Sequence, residues 1–288
     1  MTELSIMTLG PLRMTLQGEP LKGFRTDKER ALLVYLAIEV GRSHRREALA
    51  GLLWPNSPEA SARHALSQAL TDLRRVLDDR RRSAAQAATF LETTGHTVEL
   101  GADREVWVDV HAFDALTVSE AASAGANGAH ERLQQAVTLY QGSFLEGFSL
   151  PDAPAFEEWQ LLWRERLRRQ VLEALALLVA HYTSEGAYED ALRFAWRRIE
   201  HEPWSEDAQC DVIRLLALVG QQGAALRQGE ICSRILAEEL GVEPDASTRA
   251  LIRAVRAGTL LGAAHGRPEA PRAVATQDVQ EMPNVPSP

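Results

Sequence analysis

Cysteine is scarce in this chain of 288 residues, and long apolar runs are missing altogether. The two cysteines, Cys210 and Cys232, are too few and too far apart in sequence for a metal cluster or a framework of disulfides, and they suit a reducing cytoplasm. No apolar run reaches the roughly 18 residues of a membrane span, and the amino terminus lacks the basic and apolar regions of an export signal. We therefore expect a cytoplasmic protein that does not cross a membrane.

The sequence also lacks the motifs of common catalytic sites. It contains no G-x-x-x-x-G-K-[ST] loop for nucleotide phosphates, no G-x-S-x-G nucleophile motif and no H-E-x-x-H zinc motif. The eight histidines are scattered singly, a pattern more typical of surface or packing residues than of metal ligands. These absences predict a protein that is not an enzyme and that needs neither a cofactor nor a metal ion.

Charge is distributed unevenly along the chain, whose formal net charge is −9. Residues 1–110 carry 15 Lys and Arg against 15 Asp and Glu, so the excess of acid lies in the remainder of the chain. Within residues 42–82 there are 9 basic residues against 5 acidic ones. A locally basic segment in an otherwise acidic protein indicates a small nucleic-acid contact surface.

The stretch 57–77, SPEASARHALSQALTDLRRVL, has the pattern of an amphipathic helix. Ser57 is predicted to cap its start, with Pro58 at the first helical position, where its missing N–H costs nothing. The apolar stripe comprises Ala62, Leu66, Ala69, Leu70, Leu73 and Leu77. The opposite face comprises His64, Ser67, Gln68, Thr71 and Arg75, with Arg63 and Arg74 at its flanks. Asp72 at the margin is its only acid, so this face suits phosphates and base edges, although a basic surface helix is the simpler alternative.

Two shorter helices are predicted before this stretch. A capping box at 26–29 begins a helix that ends at Gly41, and a second helix begins at Ser43. A tight turn then leads into 57–77. Two helices joined by a short turn, the second with a basic polar face, form a helix-turn-helix.

Short strands are predicted on both sides of these helices. Alternating apolar residues at 4–6 and 12–16 predict two strands, which a turn at 18–20 closes. Residues 90–100 have apolar ends and a central Thr-Thr-Gly-His, the pattern of a β-hairpin that would form the wing of a winged helix. We expect a strand at 106–110 to extend the sheet of this hairpin.

From about residue 127 the apolar spacing is almost wholly helical. Gly186, Ala191 and Leu192 recur 34 residues later as Gly220, Ala225 and Leu226. This is the period of tetratricopeptide (TPR) helix pairs, in which small residues allow two helices to pack closely. Residues 263–288 are rich in proline and have almost no periodic apolar residues, so we expect a disordered tail or linker.

The amino-terminal third resembles the winged-helix domain of the SARP family of bacterial transcriptional activators, itself similar to the OmpR/PhoB type. The motifs that carry the resemblance are Thr26-x-Lys28-x-Arg30-Ala31-Leu32-Leu33, Leu52-Leu53-Trp54, Leu73-Arg74-Arg75-Val76-Leu77, Thr94-Gly95 and Val108-Asp109-Val110-x-x-Phe113. Further on, Glu239-Leu240-Gly241-Val242-Glu243-Pro244 resembles the end of the bacterial transcriptional activation domain that follows the winged helix in that family. The resemblance extends from residue 1 to about 257.

The resemblance implies a mainly α protein with small β-sheets. A winged helix-turn-helix domain at 1–110 precedes an α-helical, TPR-like domain at 111–262, and the tail follows at 263–288. The family implies double-stranded promoter DNA and RNA polymerase holoenzyme as partners, with a homodimer on direct repeats. This chain departs from the family at Gly229, where an aromatic residue is usual, and in the turn 221–223, which is usually more charged.

Candidate DNA-binding residues fall into three groups. The candidates for contacts with base edges in the major groove are Arg63, His64, Ser67, Gln68 and Thr71. The candidates for phosphate contacts are Arg74, Arg75 and either Arg45 or Arg46. The candidates for contacts in the neighbouring minor groove are Thr94, Gly95 and His96.

Two other functions fit the same sequence. The helical repeats could make the protein an interaction adaptor, with the amino-terminal part as a small structural domain. Alternatively, the proline-rich tail could lead into a nucleotide-binding domain, so that this chain is the front of a longer NTPase-coupled regulator. Because the sheet pattern begins within the first few residues, we expect no receiver domain and no phosphoacceptor control.

Overall fold

A computed structural model describes residues 4–77, 89–101, 106–121 and 128–259, with the side chains of 118–121 left out. The strands are β1 Leu4–Met7, β2 Arg13–Leu16, β3 Glu19–Pro20, β4 His44–Arg45, β5 Leu91–Thr93, β6 Thr97–Leu100 and β7 Val106–Val108. The helices are α1 Asp27–Ile38, α2 Arg46–Leu53, α3 Glu59–Val76, α4 Asp109–Ala121, α5 Ala129–Leu139, α6 Pro154–Ser184, α7 Tyr188–His201, α8 Glu206–Leu218, α9 Gln222–Ile235 and α10 Ala246–Arg256, with a π-helical turn at Leu236–Leu240. The predicted tail at 263–288 lies outside the described residues.

The first sheet has the strand order β3-β2-β1-β7. Its β1 and β2 are the two predicted strands and pair antiparallel. The turn between β2 and β3 is formed by Gln17 and Gly18, both at positive φ, and Glu19 already belongs to β3. The strand predicted at 106–110 was assigned the wrong partner strand. Val106 and Val108 pair in parallel with β1, not with the wing hairpin, and the chain is already helical from Asp109.

The second sheet has the order β4-β6-β5 and contains the predicted wing hairpin. Its third strand was predicted as the start of a helix at Ser43. His44 and Arg45 instead pair antiparallel with Val98 and Thr97 of β6, so α2 begins only at Arg46. Local sequence could not show this pairing, because the partner strand is about 50 residues away.

Helices α1 and α3 also begin differently from the predictions. Pro58 is extended, with ψ 144°, and acts as the cap residue of α3, while the N–H of Ser57 donates to the carbonyl of Trp54. Among the described residues no side-chain hydrogen bond caps this helix. Before α1, Glu29 accepts a hydrogen bond from the backbone N–H of Arg25 at 2.8 Å rather than from that of Thr26. The helix ends at Ile38, before Gly41.

Antiparallel helix pairs α6/α7 and α8/α9 form the repeat that the 34-residue period predicted. Gly186 and Gly220 lie at equivalent positions with φ of 72° and 81°, and each ends the first helix of its pair. Ala191 and Ala225 are fully buried between the helices. At Gly229 an added Cβ would lie 3.0 Å from Ile252 of α10, so α10 occupies the space that an aromatic residue would need. None of the helices in the described part of the chain combines the length and hydropathy of a bilayer crossing.

The winged helix and the helical repeats are joined by a loop at 141–148. Its backbone forms bridges with the amino-terminal strand region, Leu9 with Phe144 and Pro11 with Glu146. The side chain of Trp159 on α6 then lies 5.0 Å from the ring of Tyr35 on α1, measured between centroids. The two halves therefore share one continuous core, against which the apolar face of α3 packs.

Candidate nucleic-acid interface

The amphipathic pattern of α3 is confirmed by burial of its apolar stripe. Leu66, Leu70 and Leu73 are at most 2% exposed. On the opposite face the side chains of Arg63, His64, Ser67, Gln68 and Arg75 are exposed, and that of Thr71 is half-buried. No other described element covers this face, so it is open to a polyanion.

Arg46 joins α3 to the wing. Its Nη2 donates to the hydroxyl of Ser67 at 2.8 Å, and its backbone N–H donates to the carbonyl of His96 at 2.9 Å. The tip of the wing is ordered by Thr94, whose hydroxyl accepts the backbone N–H groups of His96 and Thr97 at 3.1 and 2.9 Å. Residues predicted separately from three elements are thus brought together on one side of the molecule.

Two of the predicted base-reading hydroxyls already donate within the helix. Ser67 donates to the carbonyl of Arg63, and Thr71 donates to that of Ser67, both at 2.9 Å. A hydroxyl that has used its hydrogen can only accept, and purine N7 and guanine O6 are themselves acceptors. Donation to these base atoms therefore falls to Arg63, His64 and Gln68.

The arginines differ in their exposure and in whether their guanidinium groups already have a partner. The side chain of Arg45 is 82% exposed, and its nearest carboxylate, that of Glu47, is 3.9 Å away. Arg63 pairs with Glu59 at 3.5 Å, a weak exposed contact that a phosphate could replace. Arg74, predicted to hold a phosphate, donates instead to the hydroxyl of Thr93 in the wing and is half-buried.

The structure places one further arginine, Arg25, next to α3, and the sequence analysis did not identify it. Asp72, predicted at the margin of the outer face, is 2% exposed and accepts from Arg75 at 2.8 Å. The guanidinium of Arg25, in the loop between β3 and α1, lies 3.5 Å from the same carboxylate. No sequence pattern indicated Arg25, because it lies 47 positions before Asp72.

Beneath the interface, His44 of β4 is buried against the ring of Tyr35, with centroids 5.2 Å apart. Burial lowers the pKa of His44, and the nearby Arg42 lowers it further, whereas Glu39 and Glu99 raise it. Within the described residues no group of three or more His, Cys, Asp or Glu is arranged to hold a metal ion. The exposed arginines, Gln68 and His64 of this surface offer hydrogen bonding and cationic attraction.

The family of this chain is identified from its helical part. The family model of the bacterial transcriptional activator domain matches residues 108–256, more than half of the chain. The chain belongs to the SARP family of bacterial transcriptional regulators.

Three SARP relatives are similar along most of this chain. The regulatory protein AfsR of Streptomyces coelicolor is 27% identical over 238 residues, which are 82% of this chain and 22% of AfsR. The transcriptional regulatory protein EmbR of Mycobacterium tuberculosis is 29% identical over 256 residues, 84% of this chain and 61% of EmbR. The transcriptional regulator RedD of Streptomyces coelicolor is 30% identical over 237 residues, 79% of this chain and 63% of RedD. The chain spans less than two thirds of each, and all three are named as regulators rather than enzymes.

A solved structure, Mycobacterium tuberculosis EmbR in complex with a low affinity phosphopeptide, has the same fold. It matches with a TM-score of 0.67 and 23% sequence identity over 92% of this chain and 69% of the EmbR chain. This similarity confirms the predicted fold class, a mainly α protein with small β-sheets in which a winged helix-turn-helix precedes a helical domain.

Proposed function

We propose that this SARP protein is a sequence-specific DNA-binding transcriptional activator. Residues 1–110 bind double-stranded promoter DNA, and residues 111–262 contact RNA polymerase holoenzyme and a second copy of the chain on direct repeats. The protein acts in the cytoplasm, where bacterial promoters are accessible. The three relatives support the regulatory role through their names, and the DNA contact rests on the surface around α3.

The observation that carries the proposal is the open outer face of α3. A B-DNA major groove admits one α-helix, and α3 presents Arg63, His64 and Gln68 from a face that no other described element covers. Arg46 and the wing tip, Thr94 to His96, lie beside this face. In a winged helix this arrangement places the recognition helix in the major groove and the wing over the neighbouring minor groove.

DNA binding is tested with duplexes from the region upstream of the chain's own gene. We expect the full chain to bind such a duplex more tightly than an unrelated duplex of equal length, and to lose affinity steeply as salt rises, because phosphate contacts release counterions. Fluorescence anisotropy across a salt series measures both properties. Absence of binding to any duplex, with a protein partner still bound, would favour the interaction adaptor instead.

Base reading is tested at Gln68. Its Nε2 donates to Oδ2 of Asp72 at 3.4 Å, which leaves one amide hydrogen and the carbonyl oxygen for an adenine edge. Gln68→Ala should therefore cost about 1–3 kcal/mol on duplexes that carry the preferred base and little on duplexes altered at that position. The salt dependence should stay as in the unsubstituted protein, because no phosphate contact is lost.

The matched control is Gln221→Ala, which shortens an exposed glutamine at the turn before α9. It should leave binding unchanged. If Gln68→Ala weakened all duplexes equally, or none, Gln68 would not read a base.

A further inference from the structure

Asp72 is a buried carboxylate that faces guanidinium groups from two different elements. Its side chain is 4% exposed. Nη2 of Arg75, one turn further along α3, lies 2.8 Å from Oδ1 of Asp72, and Nη1 of Arg25 lies 3.5 Å from Oδ2. The two arginine side chains are 51% and 58% exposed, so both guanidiniums are held from beneath and open to solvent on their outer side.

The backbone that carries Arg25 is held by a hydrogen bond to α1, and the segment just before it passes close to the end of α3. The N–H of Arg25 donates at 2.8 Å to Glu29, which is 3% exposed. Two residues earlier, Gly23 has a φ of +94°, and a Cβ at this position would lie 3.8 Å from Val76 of α3. The position of Arg25 is therefore set by the fold, which lowers the entropy that a ligand would have to remove.

Among the described residues the charges that contact Asp72 do not balance. Two guanidiniums against one carboxylate leave a net positive charge, and within the described residues neither Arg25 nor Arg75 pairs with a second acid. Each guanidinium has five N–H donors, most of which are not used by Asp72. A planar guanidinium can donate two parallel hydrogen bonds to the oxygens of a phosphate. Arg25 and Arg75 together therefore suit one phosphate group, either a free phosphate dianion or the two unesterified oxygens of a phosphodiester.

We propose that Arg25 and Arg75 together bind one phosphate of the DNA backbone, with Asp72 as the residue that positions them. The contact extends the interface from the helix-turn-helix onto the loop between β3 and α1. This inference rests on the proposed function, since it names a phosphate contact of the same surface. The competing explanation is a purely structural set of ion pairs that ties the loop to α3.

The experiment uses the full chain and duplexes selected for binding from a random-sequence library. Dissociation constants are measured across a salt series for Arg25→Gln and for Arg75→Gln. Each should weaken binding about tenfold near 0.1 M salt and lower the slope of log affinity against log salt by about one, alike for all bound sequences. A structural ion pair would change thermal stability but not this slope.

The matched control is Arg214→Gln. Arg214 is 47% exposed and pairs with Asp211 three residues before it, as Arg75 does with Asp72, but it lies on α8 in the helical repeats. It should leave affinity and slope unchanged. A slope that stayed unchanged in both Arg25→Gln and Arg75→Gln would overturn the inference, whereas a protein that bound no duplex at all would overturn the proposed function with it.

Asp72→Asn separates positioning from simple attraction. It keeps both guanidiniums and makes the surface more positive, so attraction alone would tighten binding to every duplex. We expect the opposite, severalfold weaker binding of all bound duplexes alike, because the guanidiniums lose the charge that holds them side by side. A loss confined to duplexes with one preferred base would point instead to Gln68, whose Nε2 lies 3.4 Å from Oδ2 of Asp72, and would contradict the positioning role. Tighter binding would contradict the positioning role of Asp72. Circular dichroism identifies a variant that fails to fold, in which case the two arginine variants still decide the inference.

Discussion

Asp109 connects the first strand to the first helix of the helical part. Its carboxylate is 3% exposed and accepts the backbone N–H groups of Thr8 at 2.7 Å and Leu9 at 2.8 Å, the hydroxyl of Thr8 and the N–H of Val110. Burial raises the pKa of Asp109, and the hydrogen bonds from Leu9, Thr8 and Val110 act in the opposite direction. A neutral amide side chain has only one acceptor oxygen, so it could not accept all four of these hydrogen bonds in the same way.

Asp109→Asn should therefore destabilise the protein. The amide puts an NH2 group where a carboxylate oxygen accepted, so at least one buried backbone N–H loses its partner, at a cost of about 1–3 kcal/mol. Urea unfolding measures the change. Asp190→Asn, at an exposed acid whose pair with Arg193 is 3.5 Å long, serves as the control and should change stability by less than about 0.5 kcal/mol. Equal stability of the two variants would contradict the role of Asp109.

Among the elements, the two-residue strand β4 shows how a short segment can link several parts of the fold. Its His44 packs on Tyr35 of α1, which in turn contacts Trp159 of α6. Nε2 of His44 is buried and has no hydrogen-bond partner among the described residues. A charged imidazole is therefore disfavoured in this position, in agreement with the lowered pKa.

We expect β4 to make the fold sensitive to acid. The folded pKa of His44 is below that of the unfolded chain, about 6.5, so the unfolded state binds the proton first and stability is lost as pH falls below that value. His44→Phe keeps a ring against Tyr35 but cannot be protonated.

The measurement is the midpoint of thermal unfolding at pH 7 and pH 5. Between these values His44→Phe should lose less stability than the unsubstituted protein. Some loss should remain, because burial and the neighbouring Arg197 also lower the pKa of His201. An equal loss in both proteins would show that His44 is not the sensitive group.

At the scale of the whole molecule, the loop at 141–148 holds the two halves together. Arg164 of α6 donates through Nε to the carbonyl of Phe144 at 2.8 Å and through Nη2 to that of Leu145 at 3.0 Å. Leu145 in turn donates its N–H to the carbonyl of Thr8. A chain of hydrogen bonds therefore runs from the helical repeats through the loop into the first sheet.

Arg164→Met should loosen both halves at once. The buried carbonyl of Phe144 loses a charged donor, whereas that of Leu145 keeps Gln160 and the N–H of Phe148, so unfolding should become easier by roughly 1–3 kcal/mol. Hydrogen exchange of the Leu145 and Leu9 amides should speed up together. The exposed Arg169 on the same helix provides the control, and Arg169→Met should change neither property. Faster exchange confined to the loop would mean that the halves are not coupled through it.

The same junction affects how the protein should be divided in experiments. Deleting residues 1–110 would uncover Phe144 and Trp159, which are packed against each other and next to the winged helix. Such a fragment would lose part of the shared core and would be a poor test of an adaptor role. Single substitutions on α3 leave that core intact and are the better test.

The sequence alone determined the features that depend on neighbouring residues. The apolar period of α3 located the helix to within two residues at each end, the 34-residue repeat located the helix pairs, and the polar centre of 90–100 located the wing. The family resemblance supplied the order of the two domains. Each of these signals is contained in a short window, because helix faces and tight turns are set by residues a few positions apart.

Only the tertiary structure decided which distant segments meet. It paired β7 with β1 instead of the wing, made a strand of His44 and Arg45, turned Arg74 toward the wing and brought Arg25 to Asp72. Strand pairs, hydrogen bonds and ion pairs of this kind join residues from about 20 to 100 positions apart, and their formation depends on which surfaces the common core brings together. Neither residue type nor local periodicity carries that information, since the same strand or arginine can be satisfied by many partners.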